Sequence, residues 1–275
     1  MGSDNANKLP RVGVAGCTGT ISRLCVAEVM RSPKAALAGG VLRPGHAKVG
    51  SDVGEIAGAG PAGIKAIDDA DALFAAADAV IDFTVPAATV RHAELVARHG
   101  KALVAATTGL NEAQESVLRE ASRKAAIVRA PNMSLVNAVM ASAVERLARL
   151  LDDDYDIEVL NQVHRRKRDI PSGTALALGE AAAKGRGVDL KQVAVRGLDG
   201  DVPARTRGSI GFASTRGGEA AGVFSVFFYG THDGLEITHR VHGRGLYSAV
   251  ALRAALWATG QPPGLYDILD VLGEK

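Results

Sequence analysis

Arg11-Val12-Gly13-Val14-Ala15-Gly16-Cys17-Thr18-Gly19-Thr20-Ile21 is the stretch whose reading decides the fold. Its first five residues form a short apolar run of strand type. Gly16 and Gly19 break that run, and Ile21, Leu24, Val26 and Val29 then recur at helical spacing. Strand, glycine turn and helix in that order open a nucleotide-binding βαβ unit. In Gly16-x-x-Gly19-x-x-Ser22 the first glycine makes the tight turn and the second lets a pyrophosphate approach the backbone. Ser22 is small enough for helix–strand packing. The helix N-terminus beyond the glycines favours phosphate charge. An ordinary strand–helix turn would read much the same, so the surroundings have to decide.

Those surroundings alternate. Strand readings at Ala36 to Leu42, Ala79 to Phe83, Ala102 to Ala106 and Ala126 to Ala130 are separated by helical patterns at Asp71 to Ala77, Ala87 to His99 and Glu112 to Lys124. Parallel neighbours need crossover helices, so the alternation predicts an α/β fold, a Rossmann-like doubly wound parallel sheet. After about residue 134 the pattern changes. A long helix, Leu135 to Leu151, precedes a strand at Asp156 to His164 and a helix at Thr174 to Lys184. Strand runs follow at Ser209 to Thr215, Gly222 to Tyr229 and Leu235 to Val241, with turn signals at Gly217-Gly218 and Asp233-Gly234. This section reads as a separate α+β domain with a mainly antiparallel sheet. The helical stretch Leu246 to Thr259 folds back onto the first domain in this reading.

The 275 residues bury a core without disulfides, and 47% of them are hydrophobic. The formal net charge of +2 excludes a bulk nucleic-acid binder and an intrinsically disordered chain. Two cysteines eight positions apart, Cys17 and Cys25, fit a reduced compartment. Met1 to Lys8 is polar and shows no secretory leader, and no apolar run reaches the 18 or so residues of a membrane span. The expectation is a cytoplasmic protein without nucleic-acid or membrane partners. The seven histidines show no metal-ligand spacing, and His239 and His242 read as structural.

Three places carry chemistry. At the end of the second strand, Val41-Leu42-Arg43-Pro44 offers no acid for a ribose hydroxyl; Arg43 instead supplies a fork-shaped cation suited to a 2′-phosphate, which favours NADPH over NADH. A solvated surface arginine is the plainer alternative. Thr107-Thr108-Gly109 and Pro131-Asn132-Met133-Ser134 follow later strands of the same sheet, where ligands of such folds sit, and their polar groups suit a nicotinamide. The densest signal is His164-Arg165-Arg166-Lys167-Arg168-Asp169-Ile170-Pro171-Ser172-Gly173-Thr174, a basic run leading into a capped helix. It suits a carboxylate-bearing substrate. A solvated basic turn fits the same residues.

These motifs together resemble the 4-hydroxy-tetrahydrodipicolinate reductase (dihydrodipicolinate reductase) family, nearly end to end. The resemblance is carried by Val14-Ala-Gly16-x-x-Gly19, Gly50-Ser-Asp-x-Gly54-Glu, Asp82-Phe-Thr84, Thr107-Thr-Gly109 and Ala130-Pro-Asn-Met-Ser134. Lys167-x-Asp-x-Pro-Ser-Gly-Thr-Ala175, Gly208-x-Ile-Gly-Phe-x-x-x-Arg-Gly-Gly218 and Glu236-Ile-Thr-His239 complete it. It implies a dinucleotide-binding domain of residues 1–133 and 239–275, a substrate and oligomerisation domain of residues 134–238, and a homotetramer. It also implies hydride transfer from NAD(P)H to a cyclic dicarboxylate in diaminopimelate and lysine biosynthesis.

Carried over position by position, Gly16, Cys17, Thr18, Gly19, Thr20 and Ile21 would cradle the pyrophosphate, and Arg43 would meet the adenosine ribose phosphate. Ala106, Thr107 and Thr108 with Ala130, Pro131, Asn132 and Met133 would frame the nicotinamide. His164, Gly173 and Thr174 would hold substrate carboxylates, and Lys167 would donate the proton. The family's first of two adjacent histidines, its acid/base, is here Val163, which is in phase with Ile157 and Val159 and so reads as packing. An acidic position of the family is here Asn161. Lys167 then acts alone or His164 shares its role. The alternatives are a divergent NADP-dependent reductase of another cyclic imine or keto acid, and a non-catalytic NADP(H) sensor.

Overall fold

The computed structural model describes residues 8–273; residues 1–7, most of the polar start, and the last two residues lie outside it. The chain divides into two compact units, Met1–Ser134 with Gly245–Lys275, and Leu135–Arg244.

The first unit opens with β1 (Arg11–Ala15), α1 (Thr20–Arg31), β2 (Ala36–Val41), α2 (Val53–Ala57), α3 (Ala70–Ala76) and β3 (Ala79–Asp82). It continues with α4 (Pro86–His99), β4 (Ala102–Ala105), α5 (Glu112–Ala121) and β5 (Ala126–Arg129). The second unit contributes α6 (Leu135–Leu150), β6 (Asp156–Val163), α7 (Gly173–Arg186), α8 (Leu190–Val193), β7 (Ala194–Arg196), β8 (Ile210–Arg216), β9 (Val223–Tyr229) and β10 (Gly234–Arg240). The chain then returns to the first unit with α9 (Gly245–Ala258), β11 (Gly264–Tyr266) and α10 (Ile268–Leu272).

In the first unit the strands form one six-stranded sheet in the order β11-β5-β4-β3-β1-β2, every pair parallel. The strands β3 and β4 are buried along their whole length, as expected of strands covered on both faces. Helices α1 and α9 cover one face, and α3, α4 and α5 the other. The chain runs from β1 out to β2 and then crosses back to β3, so the direction of winding reverses beside β1. Ligands of doubly wound sheets bind outside the carboxyl ends of strands at such a reversal.

Loops of this sheet are held by side chains that answer backbone N–H groups. Asp52 caps α2 and accepts from four of them: Gly54 (2.8 Å), Glu55 (3.1 Å), Ala62 (2.9 Å) and Gly63 (2.7 Å). These bonds, that from Ala62 foremost, hold its carboxyl below the usual range. The Gly50-Ser-Asp-x-Gly54-Glu block is therefore a loop staple. Asn111 and Gln114 form a reciprocal capping box at the start of α5.

In the second unit α6 and α7 pack on one face of a five-stranded sheet ordered β10-β9-β6-β8-β7. Strand β9 runs antiparallel to both β6 and β10, and Gly230 N–H to Asp233 O (2.9 Å) closes the β9–β10 hairpin at the Asp233-Gly234 signal. Strands β6 and β8 are parallel because α7 carries the chain back between them. The sheet is accordingly mixed, and Gly217-Gly218 takes the chain past β6 rather than closing a hairpin. Inward residues of β6 (Ile157, Val159) join Leu178, Ala182, Ile210, Val226 and Phe228 in one apolar core. Val163 continues that inward series and is 4% exposed.

One boundary and five short elements differ from expectation. The return to the first unit falls at Gly245 rather than at residue 239, because β10 pairs with β9 without a break through Arg240. The short elements α2, α8, β7, β11 and α10 were not anticipated; caps and strand pairing set them, and three to five residues carry too little periodicity to read.

Gly185 lies where α7 crosses α6, and a Cβ built there would stand 2.2 Å from the carbonyl oxygen of Glu145. In a free helix Gly→Ala gains about 1 kcal/mol. Here the clash with backbone outweighs that gain, so Gly185→Ala is expected to destabilise the protein by roughly 1–3 kcal/mol. Urea or thermal unfolding monitored by circular dichroism measures it.

Candidate functional site

In the first unit the glycine loop joins β1 to α1. Gly16 has φ of +63°, and a Cβ there would meet Thr84 Cγ2 at 2.8 Å, so both conformation and space require glycine. The loop closes through Gly16 N–H to Val41 O and Gly19 N–H to Gly16 O, each 2.8 Å. Gly19 is the N-cap of α1 and brings no side chain to its first turn. The N–H groups of that turn have no partner within the helix, and the positive end of the helix dipole faces the loop. Ser22 Oγ donates to Ala15 O at 3.3 Å and holds the helix against the strand. A loop of this shape fits a pyrophosphate.

Two more loops leave the same end of the sheet. Asp82 ends β3 and is fully buried. Its Oδ1 accepts from Thr84 N–H (2.8 Å), Thr84 Oγ1 (2.6 Å) and Thr107 Oγ1 (3.3 Å), and its Oδ2 pairs with His92 Nδ1 at 2.9 Å. Burial pushes its carboxyl up, but the His92 contact and the threonine hydrogen bonds outweigh that and hold it low. Arg129, at the end of β5, donates through Nη1 to Ala105 O (3.0 Å) and Thr107 O (2.8 Å) and pairs with Glu115 of α5. Sequence reasoning matched Asp82-Phe-Thr84 but gave it no role and passed over His92, Thr89 and Arg129. An acid ending a predicted buried strand was the available signal.

The expected cofactor residues divide by exposure. Gly19, Thr20, Thr108 and Pro131 are exposed, and Gly16, Thr18, Ile21 and Asn132 are half-buried. Cys17, Ala106, Thr107, Ala130 and Met133 are almost wholly buried. The sheet and its helices close over their side chains. Burial also pushes the Cys17 thiol up to about 11, so it is an inert core group. Arg43 is exposed just beyond β2, on a turn closed by His46 N–H to Arg43 O at 3.2 Å.

In the second unit the basic run forms a turn at the end of β6, closed by Lys167 N–H to His164 O at 3.0 Å. Ser172 caps α7, accepting from Ala175 N–H at 3.3 Å. Asn161, fully buried, accepts through Oδ1 from Ser172 N–H (3.0 Å) and Ser172 Oγ (3.1 Å), which ties the end of β6 to the start of α7. The turn and the first residues of α7 thus flank one anchor. Gly173 is exposed with nothing within 4 Å of where a Cβ would stand, and Thr174 follows it.

The cations are not equivalent. Arg166 is engaged by Glu219 in an exposed two-bond pair, and that pair lowers the Glu219 carboxyl. Arg216 donates to Lys167 O at 3.0 Å. Lys167, less exposed than its neighbours, pairs with Asp169, and this contact holds the Asp169 carboxyl down. His164 is half-buried with Nδ1 unpartnered. His239 is buried on β10 against the Phe224 ring, and burial keeps it below the usual histidine range.

Two family descriptions cover this geometry: "Dihydrodipicolinate reductase, N-terminus" matches residues 10–133 and "Dihydrodipicolinate reductase, C-terminus" matches residues 136–272. The chain is 44% identical over 263 residues to the 4-hydroxy-tetrahydrodipicolinate reductase of Rhodopseudomonas palustris (strain BisB18), covering 96% of this chain and 97% of that one. It is 46% identical over 265 residues to the enzyme of the same name from Cereibacter sphaeroides, covering 96% and 98%. Among solved structures it shares its fold with the dipicolinate-bound dihydrodipicolinate reductase of Paenisporosarcina sp. TG-14. That match has a TM-score of 0.72 at 18% identity and covers 94% of this chain and 98% of that one. The chain belongs to the dihydrodipicolinate reductase family of NAD(P)H-dependent oxidoreductases, whose relatives at this similarity are 4-hydroxy-tetrahydrodipicolinate reductases.

Proposed function

We propose that this chain reduces 4-hydroxy-tetrahydrodipicolinate to tetrahydrodipicolinate in diaminopimelate and lysine biosynthesis, preferring NADPH, as a cytoplasmic homotetramer. The observation that carries the reading is the anchored junction of β6 and α7, which sets Lys167 and His164 beside the start of a helix. Such a junction recognises a small dianion. In this reading Gly173 and Thr174 approach one carboxylate and His164 helps to hold the other.

The first unit binds the nucleotide through the glycine loop, with the uncapped start of α1 on the pyrophosphate and the Thr108 and Asn132 loops beside the nicotinamide. The bound nicotinamide supplies a hydride. Loss of the 4-hydroxyl as water leaves a conjugated imine; hydride addition to it places negative charge on the acceptor, and the Lys167 ammonium stabilises that charge and delivers a proton. Its present partner Asp169 holds the side chain until an anionic substrate competes for it. Arg43 supports NADPH because a guanidinium pairs with a phosphate through two bonds and gains little from a ribose hydroxyl. Among the described residues no helix is long and apolar enough to cross a membrane.

Val163 favours one second reading. A valine can neither give nor take a proton, so a divergent reductase of another cyclic imine or keto acid would also suit this strand end. Aldolase-generated substrate mixed with NADPH separates the two. Fast loss of nicotinamide absorbance is expected, and NADPH binding without oxidation would favour the second reading.

Lys167→Ala is expected to lower kcat/KM by about 10²–10⁴-fold, the usual contribution of a positioned acid, while NADPH binding holds. Full turnover in that variant would remove Lys167 from the mechanism. Arg43→Ala is expected to raise the KM for NADPH by about tenfold to a hundredfold, as for a lost charged hydrogen bond, with NADH changed by less than about twofold. Steady-state kinetics with both nucleotides reads the ratio directly.

A further inference from the structure

The group least explained by hydride or proton transfer is the buried carboxylate of Asp82 with its partner His92. Both are shut away from solvent, on β3 and α4 of the first unit. A buried charge without a task is costly and is kept only when fully partnered. Here the partners lie on separate loops, and that placement is informative.

Asp82 ends the strand that lies between β1 and β4. One contact, Thr84, lies against the glycine loop: its Cγ2 fills the space a side chain at Gly16 would need. The other, Thr107, belongs to the loop after β4. The Thr107 hydroxyl is used to capacity. It donates to Asp82 and accepts from Thr84 N–H (3.0 Å) and Thr89 Oγ1 (2.8 Å). One donor and two acceptor sites are all that a hydroxyl has. Thr107 therefore has no side-chain hydrogen bond left for a ligand, and its loop can meet one only through backbone and through Thr108. His92 closes the network. An ionised Asp82 accepts only, so Nδ1 of His92 carries the proton between them.

We propose that Asp82 and His92 are a positioning pair for the reduction. Through Thr84 and Thr107 they fix the Ala106–Thr108 backbone in register with the glycine loop, and so orient the nicotinamide end of the cofactor without touching it. The inference rests on the reading that this unit holds a nicotinamide nucleotide across those loops. It goes beyond that reading by assigning the task to two buried residues.

The test separates the two ends of the cofactor. NADPH spans both loops, whereas 2′,5′-ADP carries the adenosine and the 2′-phosphate but no nicotinamide. Thr107→Val keeps the shape and removes the hydroxyl, and Thr107→Ser keeps the hydroxyl. His92→Asn keeps a donor near the Nδ1 position, and His92→Leu removes it. Thr107→Val and His92→Leu are expected to weaken NADPH binding and lower kcat, each by about tenfold, while the Kd for 2′,5′-ADP stays within about twofold. Thr107→Ser and His92→Asn are expected to recover most of the loss.

Equal weakening of both ligands would show a general loosening of the unit and overturn the proposal. Unchanged NADPH binding and turnover in Thr107→Val would also overturn it. Circular dichroism confirms that each variant is folded at the assay temperature, and the Thr107 pair decides the matter if His92→Leu does not fold. Wild-type protein that binds neither ligand would instead refute the proposed function.

Discussion

Helix formation leaves backbone N–H groups at every N-terminus, and each must find an acceptor or water. Most of this protein's loop chemistry answers that demand. Asp52, Asp69, Asn111 and Asp267 supply side-chain acceptors at α2, α3, α5 and α10. Pro86 removes one donor at α4. The start of α1 is treated differently: Gly19 caps it with no side chain, so its donors face whatever sits on the loop. Every other feature at that end of the sheet is compatible with this choice, from the left-handed Gly16 to the serine that presses α1 onto β1.

The second unit solves a related problem in another way. Ser172 satisfies one donor of α7, and Asn161 satisfies Ser172 in turn. Asn161 Oδ1 takes both hydrogen bonds, which leaves its Nδ2 buried and unpartnered. A carboxylate there would accept the same two bonds with no leftover donor. The asparagine thus makes the anchor without a charge. Two positions along the strand, Val163 carries no titrating group either. The strand end carries no charge on its inward side, and the ionisable groups lie on the turn outside it.

Much of this was legible in the sequence. Five of the six strands of the first sheet followed from alternation, because strands buried on both faces read as continuous apolar runs and crossovers read as periodic helices. The Asp233-Gly234 hairpin followed from turn chemistry. The parallel insertion of β8 beside β6 did not, since strand runs separated by turns carry no record of which neighbour they join. Within the site, spacing identified the glycine loop and the basic run. It did not tell an exposed side chain from a buried one: Cys17, Ala106 and Met133 share motifs with exposed neighbours yet are buried. The Asp82 network escaped for a similar reason. Its members lie up to 25 positions apart and meet only through the sheet.

The discontinuity of the first unit has a consequence for how the protein is made. Helix α9 covers β3, β4 and β5 from one side, and β11 adds the last strand beside β5, yet both come from the final 31 residues. On the ribosome the whole second unit emerges before them, and domains tend to fold as they emerge. The second unit can therefore complete its core while the first unit still waits with part of one face of its sheet bare. Any factor that shields nascent apolar surface has its longest task on the half that was synthesised first.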